Sequence, residues 1–230
     1  LKTHSEEILA QLARVEALPT ESALRLELAY ARYYKVIGDY EQWMIQLESA
    51  LSRVQHAESR VLTAEIHDEI GRSLLWKGDF QGAESSFRLT VDLADTDNLL
   101  YLQARGEAGI ARALLCRGHL EKAEYRAALA LEKAIECEHV GVQCLSMAVL
   151  AQSLRMQGRY TEALGLLYGL LPTAQFASAR TGYVRLLLIT GTIQADMLRL
   201  GCAQSCLEDL LGTIRVGEHL HLHMEAMLLW

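Results

Sequence analysis

Residues 64–95, AEIHDEIGRSLLWKGDFQGAESSFRLTVDLAD, consist of two amphipathic runs with Gly78 between them. Apolar side chains recur at the spacing of one helix face in both runs: Ile66, Ile70 and Leu74 precede the glycine, and Ala83, Phe87 and Val91 follow it. Glycine ends a helix readily because it adopts the left-handed backbone conformation without steric cost, and the next residue, Asp79, is a good cap for a second helix. The stretch therefore predicts two antiparallel helices joined by a short turn.

This turn recurs along the chain at a fixed interval, which we call the period. Its equally spaced copies are Gly38-Asp39-Tyr40, Gly78-Asp79-Phe80, Gly118-His119-Leu120 and Gly158-Arg159-Tyr160. A weaker fifth copy lies at Gly201, slightly more than one period after Gly158. A period between about 20 and 50 residues is typical of arrays in which each unit buries its apolar face against its neighbours. We therefore expect a single domain over 1–230, with helix pairs at 24–54, 64–94, 104–134, 144–174 and 187–216.

Both ends of the chain carry further helical patterns. Residues 3–18 form an amphipathic run closed by Pro19, and residues 221–230 read as the opening of another unit. We expect an extra helix at each end. Because the chain starts at Leu1 and stops inside an amphipathic pattern at Trp230, we also expect it to be a fragment of a longer protein.

The composition predicts an all-α protein, and the sequence contains no motif that is typical of an enzyme. Apolar residues make up 51% of the chain, and only two prolines occur, which favours helices. The net charge of −7 argues against direct binding to nucleic acid or to an anionic membrane, because both need a basic face. Five scattered cysteines are typical of a reducing cytoplasm. No catalytic or phosphate-loop motif occurs, so we expect neither an enzyme nor a cofactor.

The unit at 64–95 resembles a tetratricopeptide repeat. That family pairs an apolar residue with glycine in the first helix, has a glycine at the turn, and spaces an alanine and an aromatic residue by four in the second helix. The matching residues are Ile70-Gly71, Leu74, Gly78, Phe80, Ala83 and Phe87. The other units fit less closely. At the position of Gly71 they have alanine, at Ala31, Ala111 and Ala151. At the position of Ala83 two units keep alanine, Ala123 and Ala163, whereas the first and fifth units have Trp43 and Cys206. The resemblance implies a right-handed α/α superhelix, a solenoid of about five helix pairs.

The period, about 40 residues, is longer than the roughly 34 residues of the common tetratricopeptide repeat. Long-period arrays of this kind resemble the helical-repeat segments of bacterial LuxR-type regulators and signal-transduction ATPases, and the peptide-pheromone receptors of Gram-positive bacteria. The resemblance implies a cytoplasmic, non-catalytic scaffold that binds a protein or peptide. The alternative is a regulatory segment of a larger transcription activator or signalling ATPase that senses a peptide or a small-molecule effector.

In this family the first helix of each pair lines the concave surface, and the resemblance places a column of arginines there. Arg32, Arg72 and Arg112 are spaced by one period each, and Gln152 and Ala195 continue the column. Trp76, Cys116 and Met156 fall beside it, as do Leu115 and Arg155. Such a groove would suit an acidic peptide or helix, because guanidinium groups bind carboxylates bidentately. The competing interpretation is ordinary ion pairing, since Asp68 lies four residues before Arg72.

Cysteine and histidine near the C-terminus allow a zinc hypothesis. Cys202 and Cys206 lie one helical turn apart, and His219, His221 and His223 follow. However, Cys206 occupies a packing position in the repeat and alternate histidines on a helix point in different directions. We therefore predict no metal site.

Overall fold

The computed structural model describes residues 20–54, 59–177 and 179–213 of the protein. Ten α-helices cover these ranges, and their first residues are evenly spaced along the chain: α1 Thr20–Ile37, α2 Tyr40–Val54, α3 Arg60–Lys77, α4 Phe80–Thr96, α5 Leu100–Cys116, α6 Leu120–Glu136, α7 Val140–Met156, α8 Tyr160–Phe176, α9 Arg180–Asp196 and α10 Leu200–Thr213. The all-α class is confirmed. The helices predicted at 3–18 and 221–230 lie outside the described residues.

The helices alternate between two layers. Each helix packs against the next one in the chain, and the odd-numbered helices also pack against one another in serial order, α1 on α3, α3 on α5, α5 on α7 and α7 on α9. We call the odd-numbered helices the A layer and the even-numbered helices the B layer. This serial packing is the tetratricopeptide-like solenoid that the sequence predicts. None of the helices described here has the length and apolar character needed to cross a bilayer.

The turn from an A helix to a B helix follows the predicted chemistry in four units. Gly38, Gly78, Gly118 and Gly158 have φ between 78° and 80°, the left-handed region that favours glycine. Asp79 accepts a hydrogen bond from the backbone nitrogen of Gly82 at 2.9 Å, which caps α4 as predicted.

The fifth turn lies three residues before its predicted position. Helix α9 ends at Asp196 and α10 begins at Leu200, so Gly201 lies inside α10. Leu198 takes the glycine's place, with φ of 58°. A leucine adopts this conformation at a cost, so packing of α9 against α10, rather than a local glycine signal, determines the turn.

This shift corrects the predicted register of the fifth unit. The small residue of its A helix is Gly191, where a Cβ atom would come 3.3 Å from the Cβ of Cys206. The small residue of its B helix is the buried Ala203, not Cys206. Observed helix bounds of Arg180–Asp196 and Leu200–Thr213 replace the predicted span of 187–216. The fifth unit therefore follows the same packing pattern as the second, third and fourth.

Close approach between helices centres on Phe87, which is fully buried. A Cβ atom added to Gly71 on α3 would lie 2.7 Å from the ring of Phe87, and one added to Gly109 on α5 would lie 2.4 Å from it. Both distances are shorter than real contacts allow. The ring of Phe87 is therefore held between two glycine backbones of successive A helices.

Substitution of Gly71 by leucine should overpack this contact and lower the free energy of unfolding by about 1–3 kcal/mol. The matched control is Gly165→Leu, because Gly165 is exposed on α8 and a Cβ there meets no atom within 4 Å. The control should leave stability unchanged or raise it, since leucine favours helix more than glycine does. Urea unfolding followed by circular dichroism measures both, and an unchanged midpoint for Gly71→Leu would contradict the packing described here.

Candidate functional site

A basic pocket lies on the A layer, between α3, α5, α7 and α9. Its volume is about 300 Å³, and its polar lining includes Arg72, Tyr101, Arg105, His139, Arg180 and Arg185. Among the described residues that line it, none is acidic. We call it the A-layer pocket. Four guanidinium groups from three helices surround one cavity, which is the arrangement that binds carboxylates and phosphates in proteins.

Aromatic residues form one wall of this pocket. The rings of Tyr101 and His139 lie with their centres 4.6 Å apart. Arg105 donates from Nη1 to the hydroxyl of Tyr101 at 2.8 Å, and its guanidinium lies 5.4 Å from the centre of that ring. The Nδ1 atom of His139 accepts from the backbone nitrogen of Val142 at 3.2 Å, which fixes His139 at the start of α7. The wall is therefore held in place by contacts within the fold.

Behind the pocket, buried acids tie three A helices together. Asp68 and Glu69 of α3 are buried, and the cations Arg32, Lys35, Arg72 and Arg105 surround them, with Glu65 at the edge. We call these seven residues the A-layer ion cluster. Its cations come from α1, α3 and α5. The cluster thus links the first, second and third units by charge as well as by apolar packing.

Burial and neighbouring charges shift the pKa values of several residues of the ion cluster. Burial alone would raise the pKa of Asp68, but the guanidinium groups of Arg105 and Arg72 outweigh burial and lower it to about 2. Burial lowers the pKa of Lys35 to about 8, although Glu69 opposes this effect. Burial would lower the pKa of Arg105, whereas Asp68 and Glu69 raise it. The neighbouring cations also hold the pKa of Glu69 below its ordinary value against the effect of burial, so Asp68 and Glu69 are both ionised at neutral pH.

The predicted arginine column lies on the A layer, and two of its members, Arg32 and Arg72, make ion pairs within the fold. Arg32 donates to Glu69 at 3.1 Å and to Glu65 at 3.3 Å, both in the next unit. Arg72 pairs with Asp68 at 3.0 Å, which is the pairing weighed against ligand binding in the sequence. Arg112 is half-buried on α5 and also interacts within the fold.

A further cross-unit pair involves another predicted residue. Arg155 on α7 pairs with Asp196 on α9 at 2.5 Å. Its guanidinium is therefore held by the neighbouring A helix.

The other predicted residues are divided between core and surface. Trp76 stacks on Tyr40 of the first unit, with ring centres 5.0 Å apart. Leu115 is buried, so it packs in the core and is not available to a partner. Gln152 is half-buried and Met156 is 52% exposed. The prediction that Ala195 continues the arginine column was wrong. In the corrected register the fifth position of the column is Thr192, which lies one period after Gln152.

Sequence reasoning missed most of the A-layer pocket. Arg105 and Arg185 occupy the same position in α5 and α9, two periods apart, but Leu145 stands between them in the series, so the sequence shows no continuous second column of arginines. Tyr101, His139 and Arg180 gave no periodic signal either, because their contribution depends on how neighbouring units stack. Of the predicted residues, only Arg72 lines this pocket.

A larger cavity of about 620 Å³ lies where the turn between α5 and α6 meets α4. We call it the B-side pocket. Two of its arginines, Arg88 and Arg117, donate to Glu84 at 2.7 and 2.5 Å, and Arg126 pairs with Glu107 at 2.9 Å. Glu84 and Glu121 line this cavity, so an acidic ligand would meet carboxylates there, whereas no acidic residue among those described lines the A-layer pocket. The A-layer pocket is the stronger candidate despite its smaller volume.

The zinc hypothesis concerns residues that the structure describes only in part. Cys202 is exposed and Cys206 is half-buried, while His219, His221 and His223 lie outside the described residues. Within residues 20–54, 59–177 and 179–213, no three metal-binding side chains come together.

Comparison with solved structures supports the tetratricopeptide-like fold. The chain is similar to a Rap protein complexed with Competence and Sporulation Factor (TM-score 0.78, 15% identity, 93% of this chain and 59% of that one). It is also similar to BtubC (BKLC) from P. vanneervenii (TM-score 0.67, 15% identity, 90% and 85%). A third similar structure contains the nearly identical TPR-like repeats of a Podosopora anserina kinesin light chain (TM-score 0.63, 16% identity, 85% and 96%). No protein-family model and no curated protein matches the chain.

Proposed function

We propose that this chain is a non-catalytic scaffold that binds a protein or peptide along its A layer and holds an acidic group of that partner in the A-layer pocket. The observation that carries the proposal is the placement of Arg72, Arg105, Arg180 and Arg185 around one cavity. A planar guanidinium donates two parallel hydrogen bonds to a carboxylate, and several of them around one cavity bind an anion from more than one side.

Charge distribution supports an acidic partner at this place. The chain carries a net charge of −7, so its overall charge disfavours the binding of an acidic protein. A local basic pocket on such a chain attracts an acidic group to one site and disfavours binding elsewhere. The buried Asp68 and Glu69 do not line the cavity, so a ligand would meet guanidinium groups first.

One solved structure with a similar fold is a complex with another molecule. The Rap protein is complexed with Competence and Sporulation Factor, so a fold like this one can hold another molecule. The present chain spans 59% of that protein's length, and at 15% identity only the fold is shared, so partner binding by this chain remains our proposal. The cysteine usage of the sequence supports a cytoplasmic setting.

Selection from a random peptide library tests the proposal. Peptides that bind the full chain should be enriched in Asp and Glu, and Arg185→Glu should weaken their binding at least tenfold, or about 1.4 kcal/mol. The matched control is Arg117→Glu, the same change of charge in the B-side pocket, and it should leave the affinity within about twofold. Peptides without acidic residues, or equal losses in both variants, would contradict the proposal.

A second candidate function is a regulatory segment of a larger transcription activator or signalling ATPase, in which a peptide or small molecule changes the superhelix. The favouring observation is that Arg72 and Arg105 belong to both the pocket and the ion cluster. A bound anion would compete with Asp68 for them and so alter the contact between α3 and α5. Small-angle scattering with and without a selected peptide should then differ in radius of gyration, and identical curves would exclude this candidate.

A further inference from the structure

Helix α10 is the last helix that the structure describes, and one side of it is less covered than in the other B helices. In the first four units one B-helix position holds fully buried side chains, Leu47, Phe87, Ala127 and Leu167. In α10 this position is Leu207, which is only half-buried. The position of Val91 is half-buried in the first four units, whereas in α10 it is Leu211, which is 53% exposed. We call Leu207 and Leu211 the end face.

In the second unit, the A helix that follows covers these two positions. A Cβ atom added to Gly109 of α5 would lie 2.4 Å from the ring of Phe87, and one added to Gly106 would lie 2.7 Å from Cγ2 of Val91. The backbone of α5 therefore passes directly over both side chains. Because each unit of such an array buries its apolar face against the next unit, the end face is the place where a sixth A helix would pack.

The sequence after α10 continues the period of the array. Residues 220–230, LHLHMEAMLLW, lie outside the described residues. The last four A helices begin one period apart, at Arg60, Leu100, Val140 and Arg180. The same interval leads to the first residue of this segment. In this register Ala226 has the position of Gly106, and Leu229 has the position of Gly109. Apolar residues of the segment thus fall where the end face requires them.

The sizes of the side chains also fit this register. Leu167 of α8 and Ile189 of α9 have the positions of Leu207 and Leu229, and both are buried in one apolar cluster. Two large aliphatic side chains can therefore be accommodated at this contact. At the other contact, the small Ala226 faces Leu211, just as Gly106 faces Val91.

The end of α10 lies where a following A helix would have to begin. Nε of Arg180 donates to the backbone oxygen of Thr213 at 2.9 Å, which holds the end of α10 beside the start of α9. Successive A helices start side by side in the earlier units, as the rings of Tyr101 on α5 and His139 before α7 show, with centres 4.6 Å apart. The chain therefore leaves α10 next to the place from which a sixth A helix would cover the end face.

We propose that residues 220–230 pack on the end face as a sixth A helix of the same chain, with Leu229 on Leu207 and Ala226 on Leu211. This contact removes the two leucines of α10 from water, which stabilises the fifth unit. Isolated helices shorter than about 12–15 residues are marginal in water, so this helix depends on the end face. Helix α9, which supplies Arg180 and Arg185 to the A-layer pocket, then lies between two A helices like α3, α5 and α7.

Disulfide formation in the full chain tests this contact. The variant carries Leu211→Cys and Ala226→Cys, and a disulfide requires Cβ atoms about 3.5–4.5 Å apart. Equal amounts of unlabelled and ¹⁵N-labelled chains are mixed and oxidised, and mass spectrometry identifies the cross-linked peptides. We expect a disulfide between the two positions, in peptides that are wholly labelled or wholly unlabelled. The control pair, Leu89→Cys with Ala226→Cys, uses a leucine that is 46% exposed on α4, and it should cross-link at least tenfold less.

Peptides that join a labelled and an unlabelled half would show that a second copy covers the end face, and this result would overturn the inference. The absence of the disulfide, or equal cross-linking of the control pair, would overturn it as well.

Hydrogen exchange gives a second measurement that needs no added cysteine. In the full chain, Leu211→Asp should make the backbone amides of residues 220–230 exchange at least tenfold faster, because a carboxylate on the end face opposes apolar packing. Leu211 is exposed among the described residues, so this change leaves the core intact. The matched control, Leu89→Asp, should leave the exchange of these amides unchanged. Equal exchange in the natural chain and in Leu211→Asp would contradict the proposed contact.

Discussion

Replacement of Asp68 by alanine should lower the free energy of unfolding by about 3–5 kcal/mol. The Asp68 side chain has no exposed surface and pairs with Arg72 and Arg105. Its removal leaves two guanidinium groups beside a single remaining buried acid, Glu69. A buried charge without an opposite charge beside it destabilises the folded state, because it has lost its hydration. Urea denaturation followed by circular dichroism measures the loss.

The control for this variant is Glu21→Ala. Glu21 pairs with Arg25 at 2.9 Å, but the two side chains are 59% and 55% exposed. Exposed pairs of this kind contribute less than about 1 kcal/mol because solvent screens them. A loss for Asp68→Ala no larger than that of the control would show that the ion cluster does not stabilise the stack.

The dependence of the free energy of unfolding on pH gives a second test of the contribution of Asp68. The pKa of Asp68 is about 2 in the fold and 3.8 as its ordinary value. Between these values the unfolded chain binds a proton that the folded chain does not, so the contribution of Asp68 is complete above about pH 5 and is lost as the pH falls towards 2. The Asp68→Ala variant should therefore lose stability less steeply than the natural chain over this range.

Replacement of Phe87 by alanine should cost about 3–5 kcal/mol. The ring fills the space between Gly71 on α3 and Gly109 on α5, and both glycines lack the Cβ atom that would collide with it. The backbones of these helices limit how far the cavity can collapse, so the loss should be near the upper end for an aromatic residue. Leu89→Ala, at a residue that is 46% exposed on the same helix, should cost less than about 1 kcal/mol.

A double-mutant cycle tests the geometry of this contact. Leucine at position 71 overpacks the contact only while the ring of Phe87 is present. The combined variant Gly71→Leu with Phe87→Ala should therefore be more stable than the sum of the single losses predicts, by about 1 kcal/mol or more. Strict additivity would contradict the close approach of Gly71 to the ring.

The helix pairs of the first four units could be predicted because their turns carry a local signal. Glycine stands at the left-handed position of each turn from an A helix to a B helix between Gly38 and Gly158, so the period of the sequence and the positions of these turns agree. The fifth turn lacks this signal, since Leu198 occupies the same conformation, and Gly201 gave a misleading one three residues later. The packing of α9 on α10 determined that turn, and no local pattern reports such packing.

The candidate site could be predicted less well than the fold. The arginine column follows from the period, and Arg72 does line the A-layer pocket. The partners of Arg32 and Arg155, however, are Glu69 and Asp196, which lie about one repeat away in the sequence. Pairing across units depends on the stacking of the A helices, so it was not visible in the spacing within one helix.

The most direct test of the central claim is an NMR titration of the ¹⁵N-arginine-labelled chain with an acidic peptide selected for binding. We predict that the Nε resonances of Arg72, Arg105 and Arg185 shift with a single binding curve, while those of Arg88 and Arg117 in the B-side pocket stay unchanged. Shifts confined to Arg88 and Arg117, with the A-layer arginines unaffected, would contradict the claim that this protein binds its partner in the A-layer pocket.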